Sequence, residues 1–407
     1  MIDVRAVAAD ELEALLHAAS GPFGFDFPPD PSHRQAFVDR MAATFEPDRA
    51  RCAFDGDRMV GTLATHSFDM SVPGGSIPVA GTTLVTVQVT HRRQGILSSL
   101  IEHHLEEARE RGDYAAALWA SDSAIYGRFG YGMAAWSTEL QIDRHRVDRH
   151  RLAPQPADVE IVDADGVRPS AMAVYDLLRR DVPGMVGHSE GWWDRILVDV
   201  PWRSGRASRF AVAVEDGNPT GWVKYRIDDA DEDDGHPAQD VIVSQLYAVT
   251  PAAWTGIWFH VLSHDFGRMI KAELRPVDDP IHSLMAGMRR VRTRRTDGLW
   301  VRVLDVGRAL EGRTYRTGGM VTLTISDRLG HASGSYRLEA DGGEAAVETV
   351  DSGTVVMDVE DLGALLLGGR SAVALAAAGR IAGPSRDVEL LDAMFRGGRA
   401  PWSPVIF

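Results

Sequence analysis

The sequence predicts an α+β (mixed α/β) fold divided among three domains, and three observations support this prediction. The chain has 407 residues, of which 44% are hydrophobic, whereas a single domain usually spans about 100 to 200 residues. Residues 85–126 have the pattern of a strand, a glycine turn, a helix and a second strand, and residues 244–256 repeat its beginning. After residue 295, short alternating strands precede helical segments. We therefore expect a repeated unit followed by a different one.

The elements of the first domain are predicted from periodicity and turn residues. Residues 4–18 alternate as an amphipathic helix, and an aromatic, proline-rich loop follows at residues 21–31. A helix at residues 34–45 and a hairpin around Asp55-Gly56-Asp57 precede the central unit. A strand at residues 136–142 is expected to close the domain.

Composition limits the class of partner. The formal net charge is −15 at pH 7, which argues against nucleic acid as a partner and favours cationic small molecules. The sequence has no apolar run of 18 residues and no secretory leader, so we expect a cytoplasmic protein without a membrane span. The single cysteine, Cys52, excludes an internal disulfide and suits a reducing compartment. Its thiol is either packed or reactive, and we favour the packed state.

The turn at residues 91–98 has the layout of a phosphate-binding site. A helix that begins after a glycine turn presents unpaired N–H groups and a positive dipole end, and two arginines add charge. The residues concerned are Val85, Thr86 and Val87 in the strand, Arg92, Arg93, Gln94 and Gly95 in the turn, and Ile96, Leu97 and Ser98 in the helix. This is the strongest local signal in the sequence.

The repeated unit near residue 250 lacks these arginines. Residues 249–250 end a strand before a turn and a helix, as residues 89–90 do, but Ala252 and Ala253 occupy the turn. We expect helices at residues 170–181 and 192–198, and an acidic hairpin tip at residues 228–234. The third segment has predicted strands at residues 299–306, 319–325, 334–339 and 345–350 and helices at residues 359–367 and 388–395.

The sequence RRQGIL at residues 92–97 resembles the pyrophosphate loop of GNAT acetyltransferases, with Leu97 at a position that is usually small. THRRQGIL, followed by WASDSAIYGRFGYG at residues 119–132, is similar to the Eis (enhanced intracellular survival) acetyltransferases, in which a bulky residue after the turn is normal. The resemblance covers the whole chain. It implies two tandem GNAT-like domains followed by an α+β domain that resembles sterol carrier protein.

The resemblance also implies a division of labour among the domains. Residues 1–150 would form the catalytic domain, residues 151–297 a degenerate GNAT-like domain that binds no coenzyme, and residues 298–407 the third domain, whose C-terminus returns to the active site. Acetyl-CoA would be the cosubstrate and the protein would be a homohexamer. We find no metal motif, and we do not infer sterol binding from the fold of the third domain.

Each step of acetyl transfer to an amine has a candidate residue. Tyr126 would protonate the departing thiolate, because a phenol is protonated at neutral pH; the alternative is a tyrosine that only packs among aromatic residues. The resemblance assigns the base to the terminal carboxylate of Phe407. The strand at residues 85–87 would pair with the pantetheine arm and donate an N–H to the thioester oxygen. The turn, with Ser121 and Asp122, would contact the coenzyme.

Other polar residues have less specific interpretations. Asp26, with Phe25 and Phe27, either forms part of the acceptor pocket or makes a turn bond while the rings pack. His91 either acts as a base or has a structural or phosphate-binding role, and we favour the structural or phosphate-binding role. His103 and His104 are expected to be exposed on their helix.

The predicted activity is acetylation of amines on multi-cationic small molecules of the aminoglycoside type. Protein lysines and a native metabolite amine are alternative acceptors. A non-catalytic protein that binds acyl-CoA or lipid is the alternative from another class, and the retained arginines and tyrosine argue against it.

Overall fold

The computed structural model describes residues 2–151, 153–199, 206–233, 236–265 and 267–407. The first region contains β1 (Ile2–Ala6), α1 (Leu12–Phe23), α2 (Pro31–Ala42), β2 (Arg51–Asp55), β3 (Arg58–Val72), β4 (Gly75–Val87), α3 (Ile96–Glu110), β5 (Ala115–Trp119), α4 (Ser123–Tyr126) and β6 (Gly132–Met133). The second contains β7 (Trp136–Asp143), β8 (Asp148–Arg149), β9 (Asp158–Val162), α5 (Ala164–Arg179), α6 (Glu190–Leu197), β10 (Arg209–Glu215), β11 (Asn218–Asp233), β12 (His236–Ala248), α7 (Pro251–Leu262), β13 (Gly267–Arg275), α8 (Ile281–Leu284), β14 (Met285–Ala286) and β15 (Val291–Asp297). The third contains β16 (Leu299–Val303), α9 (Val306–Glu311), β17 (Gly319–Ser326), β18 (Gly334–Ala340), β19 (Ala345–Thr349), β20 (Val355–Asp358), α10 (Val359–Leu366), α11 (Ala372–Ala377) and α12 (Ser385–Phe395).

The two larger sheets exchange strands. The first sheet has the order β1-β2-β3-β4-β5-β16-β6, and the second has the order β15-β7-β13-β12-β11-β10-β9. The prediction that residues 136–142 close the first domain is therefore wrong, because β7 pairs with β13 and β15. The strand predicted to open the third domain, β16, instead pairs with β5 and β6 of the first sheet. Each exchanged strand lies beside a predicted domain boundary, and the boundaries themselves stay predictions.

The N-terminus also differs from its prediction. Residues 2–6 form a strand that pairs antiparallel with β2, with Val4 opposite Ala53. The helix begins only at Leu12 and continues to Phe23, through the start of the expected loop. Ile2 and Val4 lie on one face of β1 and are partly buried beneath α3, as expected for a period of two.

The acidic hairpin tip predicted at residues 228–234 is wrong for residues 228–233, because they continue β11 and pair with β12, with Asp228 opposite Asp240; Asp234 lies outside the described residues. The third domain holds a four-stranded sheet in the order β19-β18-β17-β20, in which β17 and β20 are parallel. Two tandem mixed α/β domains and a third α+β domain confirm the predicted fold class.

The packing of α3 shows why the repeated unit folds as it does. Its apolar side chains recur on one face and are buried against the first sheet, namely Ile96, Leu100, Ile101, Leu105 and Ala108. A Cβ atom at Gly61 of β3 would lie 2.9 Å from the side chain of Ile96. Glycine at this position therefore lets the helix N-terminus approach the sheet, which places the glycine turn at the edge of a cleft.

Candidate active site

The cleft arises where two parallel strands separate. β4 pairs with β5 at three positions, from Val79 opposite Ala115 to Gly81 opposite Ala117. β4 then continues to Val87, whereas β5 ends at Trp119. Pairing therefore stops in mid-strand, and the backbone of the last residues of β4 borders an opening instead of a neighbouring strand.

A bulge in β4 shapes this opening. The register of β3 against β4 shifts between Thr62, opposite Thr86, and Ala64, opposite Thr83. Leu84 has a φ of 51°, in the left-handed region that non-glycine residues rarely adopt. The buried hydroxyl of Thr62 donates to the Leu84 carbonyl at 2.7 Å and lies 2.7 Å from the Thr86 hydroxyl. Thr62 of the neighbouring strand β3 thus stabilises the bulge, and Val85–Val87 line the cleft.

The glycine turn at the N-terminus of α3 forms one wall. Gly95 has a φ of 82° and precedes the first helical residue, Ile96. No side chain caps this helix end, its first turn contains no acidic residue, and a Cβ at Gly95 would meet nothing within 4 Å. The first N–H groups are therefore open toward the cleft, beside the exposed side chains of Arg92 and Arg93. This arrangement fits a diphosphate, and residues 92–98 are called the diphosphate cradle below.

The cleft has a volume of 830 Å³. It is lined by Pro22, Phe23, Val85, Thr86, Val87, His91, Arg92, Arg93, Gly95, Ile96, Leu97, Ser98, Glu102, Ser121, Asp122, Ile125, Tyr126, Arg128, Phe129, Arg328 and Leu329. Gln94 is the one predicted coenzyme contact outside this lining. The predicted acceptor residues Asp26, Phe25 and Phe27 and the predicted base Phe407 also lie outside it. The structure therefore brings the coenzyme residues together and sets the acceptor residues apart.

Tyr126 ends a short helix at the inner end of the cleft. Asp122 starts that helix by accepting a hydrogen bond from the Ala124 N–H at 3.0 Å. Only 5% of Tyr126 is exposed, and its ring packs edge-on against Tyr131 at 6.0 Å. Burial raises the pKa of Tyr126, a hydrogen bond with Ser121 opposes this shift, and the charge of Asp122 adds to it. The phenol therefore stays protonated through the neutral range and is able to donate a proton.

The aromatic loop lies at the rim. Phe23 lines the cleft, stacks on Phe25 at 6.4 Å, and is 41% exposed. Phe25 and Phe27 each pack edge-on against Phe37, and Asp26 is exposed. The rings pack with one another and still present Phe23 to the cleft.

The C-terminal tail is buried between the first two domains. The Trp402 indole donates to the Leu274 carbonyl at 2.5 Å, and its ring lies 5.5 Å from that of Tyr247. The Trp119 indole, at the end of β5, donates to the Val405 carbonyl at 3.0 Å. The ring of Phe407 packs against Phe68 at 4.9 Å, and Phe407 is 7% exposed. The tail therefore ends beside β5, and Ser121 and Asp122, which follow β5 in the chain, line the cleft.

The corresponding helix of the second domain, α7, has a capped N-terminus. The Thr250 hydroxyl caps α7 by accepting from the Ala253 N–H at 3.0 Å, and Pro251 supplies no N–H. The Glu215 carboxylate accepts from the hydroxyls of Thr250 and Thr220. A carboxylate thus contacts the N-cap of α7, the turn has alanines in place of arginines, and Trp402 packs at the ends of β12 and β13. These contacts disfavour a second diphosphate site.

Three other side chains now have defined surroundings. The expectation that His104 is exposed is wrong, because it is buried between Thr65 and Thr82 at 2.9 and 2.8 Å, and burial lowers its pKa to about 3. His103 is exposed as expected. Burial raises the pKa of Cys52 to about 12, so its thiol is packed rather than reactive.

The structure adds lining residues that sequence reasoning missed. Arg128 and Phe129 lie within the stretch that carries the family resemblance, so their position in the motif was an available signal. Arg328 and Leu329 come from the third domain, and no sequence pattern placed them here. Within the described residues, no helix is long and apolar enough to cross a membrane, and no cluster of three or more His, Cys, Asp or Glu could hold a metal ion.

The divergent strands, the bulge and the open helix N-terminus define an acetyltransferase of the GNAT class. Two family models described as "Acetyltransferase (GNAT) domain" match residues 3–134 and 184–303, and a "Sterol carrier protein domain" model matches residues 306–404. GNAT acetyltransferases use acetyl-CoA.

Proteins of similar sequence and structure identify the family within this class. The chain is 33% identical to "N-acetyltransferase Eis" of Mycobacterium tuberculosis over 84% of each chain. It is 37% identical to an "Uncharacterized N-acetyltransferase" of Streptomyces avermitilis over 100% of this chain and 99% of that one. The crystal structure of Eis1 from Mycobacterium abscessus covers all of both chains with a TM-score of 0.86 and 27% identity. The protein belongs to the Eis family of N-acetyltransferases.

Proposed function

We propose that the protein transfers the acetyl group of acetyl-CoA to amines of multi-cationic small molecules of the aminoglycoside type. The observation that carries this proposal is the cleft, which combines an open helix N-terminus with two exposed arginines at one wall and the protonated Tyr126 at its inner end. Because the diphosphate cradle and Tyr126 line the same cleft, one elongated thioester could contact both.

Transfer would occur directly between the two substrates. The single thiol of the chain, Cys52, is buried and lies outside the cleft lining, so it does not offer a covalent route. The strand bulge at Val85–Val87 would donate an N–H to the thioester oxygen, and Tyr126 would protonate the leaving sulfur. The carboxylate of Phe407 would accept a proton from the ammonium group of the acceptor, directly or through water, so that the resulting amine attacks the thioester carbonyl.

The proposed acceptor class, multi-cationic amines, is inferred from the negative charge of the protein. The net charge of −15 attracts cations to the protein, and Asp26 is an exposed carboxylate close to Phe23 and Phe25 at the rim. Protein lysines and native metabolite amines remain the alternative acceptors. The family resemblance extends the proposal to a cytoplasmic homohexamer.

The acceptor is tested by measuring thiol release from acetyl-CoA with aminoglycosides, polyamines and lysine peptides. We expect the highest kcat/KM for the multi-cationic acceptors. The substitution Asp26→Asn should lower that kcat/KM by up to about fivefold and change monoamine acetylation little, since an exposed charge pair contributes up to about 1 kcal/mol. Asp57→Asn, which removes an exposed carboxylate from the β2–β3 turn, is the matched control. Equal preference for peptides would favour the protein-lysine alternative, and no thiol release with any acceptor would reject catalysis.

The diphosphate cradle predicts a separate result. Replacing Arg92 and Arg93 together with alanine should raise the KM for acetyl-CoA about a hundredfold or more, because two charge-assisted hydrogen bonds are lost and each contributes about 1.5 kcal/mol or more. The value of kcat at saturation should change much less, since the two arginines take no part in the proposed proton transfers. Steady-state kinetics at varied acetyl-CoA concentration provide the measurement.

A second arginine pair provides the control for this prediction. Arg289 and Arg290 are adjacent and exposed in the second domain, so Arg289→Ala with Arg290→Ala removes the same charge at a distance from the cleft. The KM for acetyl-CoA should stay near the wild-type value in this variant. If both double variants behave alike, the effect arises from the overall charge and the turn has no specific role.

A further inference from the structure

A loop of the third domain enters the cleft of the first. The segment at residues 327–333, between β17 and β18, contributes Arg328 and Leu329 to the cleft lining. We propose that the Arg328 guanidinium binds the 3′-phosphate on the nucleotide half of coenzyme A. This inference rests on the proposed function and assigns part of the coenzyme site to a different domain.

A buried ion pair anchors the loop. Asp327 accepts a hydrogen bond from Arg302 at 2.6 Å, and both side chains are almost completely buried. Arg302 belongs to β16, the strand inserted into the first sheet. The other contacts of Asp327 are with its own loop, since it accepts from the Leu329 N–H at 3.0 Å and the Ala332 N–H at 2.8 Å. The position of Arg328 is therefore fixed relative to the first domain.

A second contact places the loop along α3. His331 lies 3.4 Å from Glu106 of that helix, and Glu102, one turn earlier, lines the cleft. The diphosphate cradle is at the first turn of the same helix, near Gly95. The loop that carries Arg328 therefore lies along α3, on the C-terminal side of the turn, and lines the same cleft as Arg92 and Arg93. With the diphosphate at the turn and the acetyl group at Tyr126, the nucleotide half is the part of the coenzyme that is left to contact this loop.

Charge identifies the group that Arg328 would bind. Among the described residues, we find no ion pair or hydrogen bond for the Arg328 side chain, which is exposed. Another arginine of the lining, Arg128, stacks over Phe129 at 4.9 Å, and the lining also includes the carboxylates of Glu102 and Asp122. If the turn takes the diphosphate, the 3′-phosphate is the remaining dianion of the coenzyme. A planar guanidinium is well suited to bind it.

The test compares two ligands that differ only in this phosphate. Calorimetry would measure binding of coenzyme A and 3′-dephospho-coenzyme A to the full chain and to the variants Arg328→Gln and Arg386→Gln. Arg386 is an exposed arginine of α12 in the same domain, outside the cleft lining, so its variant is the matched control. We expect Arg328→Gln to weaken coenzyme A binding about fivefold and dephospho-coenzyme A binding little, since exposed pairs contribute up to about 1 kcal/mol.

The other outcomes reject specific parts of the inference. Equal weakening for both ligands would show that Arg328 contacts a different group, and unchanged affinity for both would remove Arg328 from the site. If the wild-type chain binds neither ligand, the proposed function fails first. A wild-type chain that binds coenzyme A, with an Arg328→Gln variant that binds it equally well, overturns only this inference.

Discussion

Replacing Tyr126 by phenylalanine is expected to reduce kcat by about 10²-fold to 10⁴-fold, the usual contribution of general acid catalysis. The ring would keep its packing against Tyr131 at 6.0 Å, so the fold and the affinity for coenzyme A should change little. Phenylalanine is preferable to alanine, because Tyr126 is almost completely buried and truncation would leave a cavity. Steady-state kinetics and calorimetry on the same preparation separate the loss of turnover from any loss of binding.

Tyr131 provides the matched control for this prediction. Its hydroxyl lies 3.0 Å from that of Thr82 inside the core, so Tyr131→Phe also removes one buried phenol hydroxyl, but away from the cleft lining. Its kcat should stay near the wild-type value even if stability falls. A Tyr126→Phe enzyme that turns over at the same rate as Tyr131→Phe would contradict the assignment of the acid.

The pH dependence of the reaction follows from the same residue. Because burial raises the pKa of Tyr126 above its usual value of about 10, the protonated form persists to higher pH than for a free tyrosine. Loss of the acid therefore cannot explain a fall in kcat at neutral or mildly alkaline pH. Any ionisation seen in that range belongs to the amine or to another group.

The coenzyme half of the site is predictable because its signals are local. A glycine in the left-handed conformation, two arginines and a helical pattern follow one another within residues 92–98, and the structure gathers all of them but Gln94 around the cleft. The bulge has no such signal in the residues, since Leu84 is an ordinary strand residue by composition. Its conformation depends on Thr62, which lies on the neighbouring strand.

Strand exchange could not be predicted for a different reason. β7 and β16 each have a pattern that fits any sheet with a free edge, and sequence order suggests the nearest partner. In the structure, Trp300 of β16 pairs with Leu118 on one side and Met133 on the other, because the gap between β5 and β6 can accept a strand. Which strand fills it depends on long-range topology.

His104 and Arg328 illustrate the same limit at the level of side chains. The sequence places His104 on a polar stretch of α3, but two threonines on β3 and β4 satisfy both of its ring nitrogens. Arg328 reaches the cleft only because the Arg302–Asp327 pair fixes its loop. In both cases the partners come from distant segments. Helical periodicity does place His104 on the buried face of α3 with Leu100 and Ala108, but the threonines that satisfy its ring nitrogens are known only from the fold.

Extending the chain beyond Phe407 is expected to lower kcat by about 10²-fold, because a small displacement of a reacting group has an effect of this size. Trp119 holds the Val405 carbonyl at 3.0 Å, and Phe407 is buried against Phe68. Added residues would move the carboxylate or replace it with a peptide bond. Kinetics with a short C-terminal tag, compared with the same tag at the N-terminus, provide the measurement.

The extension alone does not separate charge from position, so the decisive variant replaces the terminal carboxylate with a carboxamide by semisynthesis. The carboxamide keeps the ring of Phe407, its contact with Phe68 and the bond from Trp119, but it cannot accept a proton from an ammonium group. An α-carboxylate is ionised above about pH 4, so the native enzyme should exceed the carboxamide by a similar factor from pH 6 to pH 9. Should the carboxamide retain full activity, the tail would serve only to complete the packing between the domains.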